Sequence, residues 1–405
     1  MMRYKSSGAM KGVTMENKHT MSDLYQMQSM SLNDKIRMTK YRIKEWVNTY
    51  GEDGVYLSFS GGKDSTVLLD IARKIYPNIK VLFVDVPTQY PELKQFAETF
   101  DNVDIVKPKV SFAEVCEKYG FPMFSKEISS CIADSRKYVK ILNERTNERT
   151  NELPYAYRMA DLLGIERRAD KENKAFTDLK MGNIPSEILK APVRVKQLFG
   201  VKCDGFGSMY DRSKYLFMLN AQFEVSNQCC RVMKKQPMHQ YNKDTGRVPI
   251  TAQMASESKL RASQWLQNGC NGFNLKIPTS NPMSFWTEQD VLLYIKENNL
   301  PICSVYGEVV TDYEAMGQCD NQMSFADFGI FDSERPLLKT TGCQRTGCVL
   351  CGFGCHLEKE PNRFQMLKET HPKFHNLLYV LKNNGVTYAE AIDWVNEHGN
   401  MNIKY

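Results

Sequence analysis

Residues 55–72 read VYLSFSGGKDSTVLLDIA. A β-branched and aromatic run, VYLSF, stops at a Gly-Gly pair, and apolar residues then recur at helical spacing through TVLLDIA. The stretch is therefore predicted as strand, tight turn and helix. Gly61 and Gly62 let backbone amides come close to an anion, the positive end of the helix opening near Lys63 adds its field, and the Lys63 ammonium adds a point charge. Ser60 and Ser65 bring hydroxyls that can donate hydrogen bonds, and Asp64 is suited to help hold Mg²⁺. Two glycines alone would mark no more than a turn. The whole hexapeptide S-G-G-K-D-S between strand and helix is what predicts a phosphate loop, and it is not the longer G-x-x-x-x-G-K-[ST] form.

Outward from this loop the chain alternates strand and helix. Upstream, Ser31 with Asp34 has the form of a capping box, and Ile36, Ile43, Trp46, Val47 and Tyr50 follow at helical spacing up to Gly51, a first helix. Downstream, IKVLFVD ends at Asp85, PELKQFAETF is helical, and VDIV is a third strand. Continuous apolar strands in a strand-helix-strand order predict an α/β fold with a doubly wound, mostly parallel sheet, whose ligands sit at the carboxyl ends of the strands. Ser60 to Ser65 and Asp85 both fall there. Farther on, VPITAQMA is strand-like, SESKLRASQWLQNG is a helix ended by Gly269, and WTEQDVLLYIKENNLP is a helix capped by Thr287 with Asp290 at the box position.

The division expected along the chain has five parts. Residues 1–30, rich in Met, Ser and Lys without periodicity, read as a mobile tail. The first part of the nucleotide-binding domain covers 31–125, a mainly helical insertion 126–200 and the second part of the domain 201–300. A Cys-rich region with a final pair of helices fills 301–405. The tandem NERTNERTNE at 143–152 reads as a solvated helix face or loop.

Composition narrows the class. A chain of 405 residues, 42% hydrophobic, is long enough to bury a substantial core. No apolar run approaches the length of a membrane span and no secretory signal opens the chain, so a cytoplasmic protein without membrane attachment is expected. The net charge of +6 suits anionic ligands but is too small to argue for nucleic acid alone. Twelve cysteines in such a setting are not expected to form a disulfide framework. Cys229 and Cys230 are adjacent, and Cys343, Cys348, Cys351 and Cys355 crowd together, whereas the other six are scattered as small buried apolar residues would be.

The S-G-G-K-D-S loop resembles the PP-loop of the ATP pyrophosphatases, which cleave ATP between the α- and β-phosphates. VDVPTQYPE, with Asp85, is similar to the second-strand element of sulfate-activating and sulfate-reducing PP-loop proteins. AQMASESKLR is similar to their glycine-x-arginine-x-x-glutamate-serine segment, with Glu257, Ser258 and Arg261 in matching places and the glycine and first arginine replaced. PMSFWTEQDVLLYIKENNLPI resembles the segment that closes the same domain. Over about residues 51–360 the chain thus resembles the phosphoadenosine phosphosulfate reductase-like PP-loop family, which includes phage-borne members and the DNA-phosphorothioation enzyme. The resemblance implies the adenine-nucleotide α-hydrolase fold and a nucleotide held by Ser58, Ser60, Gly61, Gly62, Lys63, Asp64, Ser65, Asp85, Glu257, Ser258 and Arg261. The bland alternative for Glu257 and Arg261 is a surface i,i+4 ion pair.

Four thiolates can hold zinc or an iron–sulfur cluster. In assimilatory adenylyl-sulfate reductases a Cys-Cys pair joins a distant C-x2-C on a [4Fe-4S] cluster, and the resemblance implies the same for Cys229, Cys230, Cys348 and Cys351. The rival set, Cys343, Cys348, Cys351 and Cys355, would suit structural zinc. His239 and His356 are expected to be ordinary polar residues, and Lys234 and Lys235 either face an anion or are solvated.

Two chemistries fit this family. One cleaves ATP to AMP and pyrophosphate, with Lys63 and Asp64 catalytic, to adenylate a substrate for sulfur transfer; its partners would be a sulfur donor such as a cysteine desulfurase and an acceptor that could be nucleic acid. The other is a (phospho)adenylyl-sulfate reductase that releases sulfite. The intact S-G-G-K-D-S set, and the absence of cysteine after Cys355, rank the first ahead. A non-catalytic nucleotide-binding regulator is the third reading. Oligomeric state is not legible.

Overall fold

The computed structural model describes residues 17–146, 191–201, 210–313 and 336–405, with side chains up to 140 in the first of these. The chain forms two compact units, each assembled from separated segments. The first unit takes Met1–Asp85, Tyr90–Val106 and Met238–Thr346; the second takes Val86–Gln89, Lys107–Pro237 and Gly347–Tyr405.

The first unit is built on a six-stranded sheet. Its strands are β1 (Val55–Phe59), β2 (Val81–Val84), β3 (Val103–Val106), β5 (Val248–Ile250), β6 (Asn271–Gly272) and β7 (Thr279–Ser280) in the spatial order β3-β2-β1-β5-β7-β6. All neighbours run parallel except β6 with β7, and Leu57 pairs with Val81 as Phe59 does with Phe83. The strand order reverses beside β1, so the crevice that α/β sheets offer to ligands opens at its carboxyl end. There the chain turns into α3 (Lys63–Arg73). Val67, Leu68 and Ile71 of α3 lie with Leu57, Phe59, Val81 and Phe83 in one buried core. The helix α2 (Leu32–Tyr50) adds Ile43 and Trp46 to that core, and α4 (Pro91–Ala97) adds Leu93. The capping signals at Ser31 and Thr287 hold: Ser31 caps α2, and Thr287 and Asp290 form a capping box on the helix Glu288–Glu297. Ser258 also caps the helix Lys259–Asn268. The strands β8 (Val309–Thr311) and β9 (Leu338–Thr340) pair antiparallel.

One expectation fails at the start of the described chain. Residues 21–28, assigned to a mobile tail, form the helix α1 (Met21–Gln28), closed by a capping box between Thr20 and Asp23. Its anchors are few and therefore faint as a pattern: Leu24 enters the core, His19 stacks on Trp265 at 4.6 Å, and the His19 amide donates to the Leu266 carbonyl. Residues 1–16 lie outside the described residues.

The second unit is mainly helical. It contains α5 (Phe112–Tyr119), the long α6 (Lys126–Thr146), the helix Val193–Leu198, a 3₁₀ segment Ser213–Asn220 and the helices Arg363–Thr370 and Tyr388–Gly399. A short parallel pairing joins β4 (Met123–Phe124) to β10 (Gly352–Phe353). Phe121 stacks flat on Tyr388 with ring centroids 4.5 Å apart, and the guanidinium of Arg136 donates to the carbonyls of Phe223, Ala221 and Met218. The boundaries therefore differ from the linear division. Residues 301–313 and 336–346 belong with the sheet, because Tyr306 is buried in its core, while 107–125 belong with the helical unit. Of the expected 126–200 insertion, 147–190 lie outside the described residues, as does most of the tandem repeat.

Candidate functional site

The glycine turn and the first residues of α3 form a compact, hydroxyl-rich loop. Gly61 has φ +72°, the left-handed conformation that glycine adopts without strain, and a Cβ there would stand 3.0 Å from the Leu93 carbonyl oxygen. Ser60 and Ser65 join across the turn: the Ser60 amide donates to Ser65 Oγ at 3.2 Å, and the two hydroxyls lie 3.1 Å apart. Ser60 Oγ also accepts from the Gly62 amide. Gly62 is the N-cap of α3 and provides no side-chain cap; instead the Lys63 amide donates to the hydroxyl of Tyr306 at 3.2 Å.

Lys63 is buried. Its Nζ lies 3.1 Å from Glu288 Oε1 and 3.5 Å from Asp64 Oδ1, and donates to the Gln344 carbonyl. Burial works against its charge, but the carboxylates of Asp64 and Glu288 outweigh that and hold its pKa above the ordinary lysine value. For Asp64 burial wins over Lys63, and its pKa is raised. Its Oδ1 is buried and takes no hydrogen bond.

Arg261 forms the i,i+4 ion pair with Glu257 that the bland reading foresaw, and it also sits in the field of Asp64 and of a second guanidinium, Arg345. Burial lowers the pKa of Arg261. Glu257 accepts from the Met254 amide, and the Ser258 hydroxyl accepts from the Arg261 amide as a helix cap. Asp85 directly follows β2, its carboxylate 3.5 Å from the Lys94 ammonium. Ser58 points elsewhere, its hydroxyl 3.9 Å from the sulfur of Met238. The structure thus brings Ser60, Gly61, Gly62, Lys63, Asp64, Ser65 and Arg261 together. Sequence reasoning missed Glu288, Tyr306, Arg345 and Thr346. Glu288 was hidden as a first-turn residue of a well-capped helix, Arg345 and Thr346 lie between Cys343 and Cys348 in a stretch whose cysteines point to metal, and Tyr306 stands far from any motif.

All four cysteines of the favoured metal set belong to the second unit, whereas Cys343 lies in the first and donates to the Tyr90 hydroxyl at 3.4 Å. Cys229 and Cys230 lie on the short helix Gln228–Cys230, which runs directly into a π-helical turn, Arg231–Lys235. Cys348 and Cys351 are joined by a turn in which the Cys351 amide donates to the Cys348 carbonyl. The thiols lie in one another's electrostatic reach: a hydrogen bond to Cys230, then burial, raises the pKa of Cys229, to which Cys351 and Cys348 add. The same hydrogen bond lowers Cys230 to about 5, against burial and with help from Lys126, Lys234 and Lys235. Burial pushes Cys351 up to about 11. Among the described residues, no group of three or more His, Cys, Asp or Glu is drawn together closely enough to hold a metal as it stands. Both sets offer four soft thiols; what separates them is that Cys229, Cys230, Cys348 and Cys351 all belong to one unit and have Lys126, Lys234 and Lys235 beside Cys230, whereas Cys343 of the rival set belongs to the first unit. His356 lies 3.1 Å from the Tyr215 hydroxyl, and His239 is exposed.

Residues 54–150 and 169–352, well over half of the chain, match the model of the phosphoadenosine phosphosulfate reductase domain. The chain belongs to that family. The adenosine 5′-phosphosulfate reductase of Shouchella clausii is 34% identical over 97 residues, 22% of this chain and 39% of that one. That of Staphylococcus haemolyticus is 30% identical over 118 residues, 26% and 45% of the two chains. An uncharacterized protein of Methanocaldococcus jannaschii is 39% identical over 70 residues, 16% and 17%. The chain thus spans less than half the length of these relatives. The phosphoadenylyl-sulfate reductase of Candida auris, solved as a phosphate complex, overlaps 68% of this chain and 88% of its own at 15% identity and a TM-score of 0.32, too loose to argue from. The mostly parallel sheet and its helices are those of a PP-loop α/β fold. Among the described residues no helix is long and apolar enough to cross a membrane.

Proposed function

We propose that the Ser60–Ser65 loop binds the polyphosphate of ATP and that the protein cleaves it to AMP and pyrophosphate, adenylating an acceptor for sulfur transfer. The observation that carries this reading is the arrangement at Lys63: a buried ammonium flanked by two carboxylates, one of which, Asp64, has an oxygen buried without a hydrogen bond. Such a set suits a polyphosphate with its cation better than the 5′-phosphosulfate of a sulfonucleotide. Asp64 and Glu288 would hold Mg²⁺, whose chemistry is to neutralise charge on the polyphosphate oxygens. Ser60, Ser65 and the loop amides would bind the β-phosphate, and Lys63 would stabilise the charge that develops as pyrophosphate leaves. An acceptor oxygen attacks the α-phosphorus, the bond from that phosphorus to the bridging oxygen breaks, and its electron pair departs with pyrophosphate. Arg261 and Arg345 would orient the adenylyl end. Sulfur would then come from a donor such as a cysteine desulfurase, with nucleic acid as one acceptor class.

Reduction of adenylyl sulfate, with or without a 3′-phosphate, is the second reading. The names of the relatives favour it, as does the thiol set of the second unit. Under both readings, Cys229, Cys230, Cys348 and Cys351 are proposed to hold a [4Fe-4S] cluster, whose chemistry is electron transfer or sulfur handling.

The test is anaerobic turnover. Pyrophosphate released from ATP, and lost in Lys63→Ala and Asp64→Asn, supports the adenylating reading. Sulfite released from adenylyl sulfate replaces it with reduction. Nucleotide binding with neither product makes the chain a regulator. Iron and sulfide in a 1:1 ratio, with broad absorbance near ~400 nm, support the cluster, and stoichiometric zinc without iron excludes it.

A further inference from the structure

Three hydroxyls converge above Gly62. A Cβ built on that glycine would stand 3.2 Å from each of Ser60 Oγ, Thr346 Oγ1 and Tyr306 Oη. All three groups can hydrogen-bond, and they leave less room above the glycine than a methyl group takes without a shift. Tyr306 Oη accepts from the Lys63 amide at 3.2 Å, shares a 2.7 Å hydrogen bond with Thr346 Oγ1, and its ring lies 5.7 Å from the Lys63 ammonium. Four other helices of this unit cap their first amides with a neighbouring side chain, from Thr20, Ser31, Ser258 and Thr287. Here the N-cap is glycine, and the oxygen comes from a residue 243 positions away.

A glycine N-cap leaves the first amides of a helix open to an oxygen from outside the chain's local sequence. We propose that the Tyr306 hydroxyl, steadied by Thr346, occupies in the free protein the position of a ligand phosphate oxygen and yields it when the phosphate binds. This rests on the nucleotide-binding reading above. The exchange is favourable, because a charged phosphate oxygen is a stronger acceptor for an amide than a neutral hydroxyl. Tyr306 is thus a positioning residue: it keeps the Lys63 amide aimed into the loop and sets what a ligand must displace. Without the hydroxyl, the buried amide lacks an acceptor in the free protein, and binding relieves that deficit.

The experiment is calorimetric titration with magnesium pyrophosphate of the full chain and of Tyr306→Phe, Thr346→Val and Lys63→Ala, with thermal unfolding of each. Tyr306→Phe is expected to bind about five- to thirty-fold more tightly. It should melt below the wild type when free and regain the difference when saturated. Thr346→Val should move affinity the same way by a smaller factor, which keeps the test open if Tyr306→Phe does not fold. Unchanged affinity would mean the hydroxyl merely caps α3, and weaker binding would make it a partner of the bound ligand; either overturns the proposal. Binding that depends on Lys63 but not on Tyr306 defeats this inference alone. No binding to the wild type, or equal binding to Lys63→Ala, removes the loop reading and this inference with it.

Discussion

Lys35 shows how one residue far from the phosphate loop supports it. Its side chain is 2% exposed, and its ammonium lies 2.6 Å from Asp290 Oδ2, the same oxygen that accepts from the amide and hydroxyl of Thr287. Removing the lysine leaves a buried carboxylate without its counter-charge, a loss of about 3–5 kcal/mol. Lys35→Met should therefore lower the unfolding free energy from urea titration by that much, and Asp290→Asn in the same chain should recover part of it; a loss below ~1 kcal/mol would show the pair to be well hydrated. Asp290 was legible as a capping residue, whereas Lys35 was not, because a partner 255 positions away leaves no trace in local spacing. A second residue sets a pH dependence. His375 is buried, its Nε2 has no hydrogen-bond partner, and burial followed by Lys368 lowers its pKa below the ordinary value of 6.5. Between the lowered folded pKa and 6.5, the unfolded chain binds more protons, so stability falls as pH drops through that window. Burial lowers His356 in the same direction. Unfolding temperature should decline from pH 7 toward pH 5.5, and less steeply in His375→Phe; equal slopes would assign the decline to other groups.

At the scale of elements, the capping boxes were the most readable signals, because a hydroxyl and a carboxylate three residues apart satisfy amides within one turn. The helix Glu288–Glu297 begins where its sequence announces it, and that start has a consequence for the site. Thr287 fixes the first turn, and the first residue of that turn is Glu288, which holds Lys63. Thr287→Ala is expected to cost about 1 kcal/mol and to weaken pyrophosphate binding as Glu288 loses its place. Equilibrium unfolding and titration of the same variant check both halves; lost stability with intact affinity would uncouple the cap from the site. α1 escaped notice for the opposite reason. Its box uses Thr20 and Asp23, but a single buried Leu24 gives no periodicity to follow. The π-helical turn after Cys230 is also silent in sequence, since nothing in RVMKK sets a wider turn against an ordinary one.

At the scale of the whole molecule, alternating strands and helices identified the sheet, yet how segments assort into units was not legible. Apolar spacing reports which face of an element is buried and not what covers it. The 86–89 and 107–125 segments and the stretch from Gly347 onward join the helical unit, although nothing in their composition separates them from the sheet's segments. The same division gives the cysteines a testable consequence. Cys229, Cys230, Cys348 and Cys351 come from two distant stretches of one unit, so a cluster bound by them closes a loop of more than a hundred residues. Closing a long loop restricts the unfolded chain, and binding that favours the folded state stabilises it further. Cys348→Ser with Cys351→Ser should therefore remove the iron absorbance and raise hydrogen exchange in peptides from 107–140, 210–237 and 347–405. Exchange in peptides from β1, α3 and β5 should stay as in the wild type, and pyrophosphate binding with it. Loosening spread evenly over both sets of peptides would show that the thiols stabilise the fold as a whole, and unchanged exchange with iron lost would make the cluster a passenger on a preformed unit.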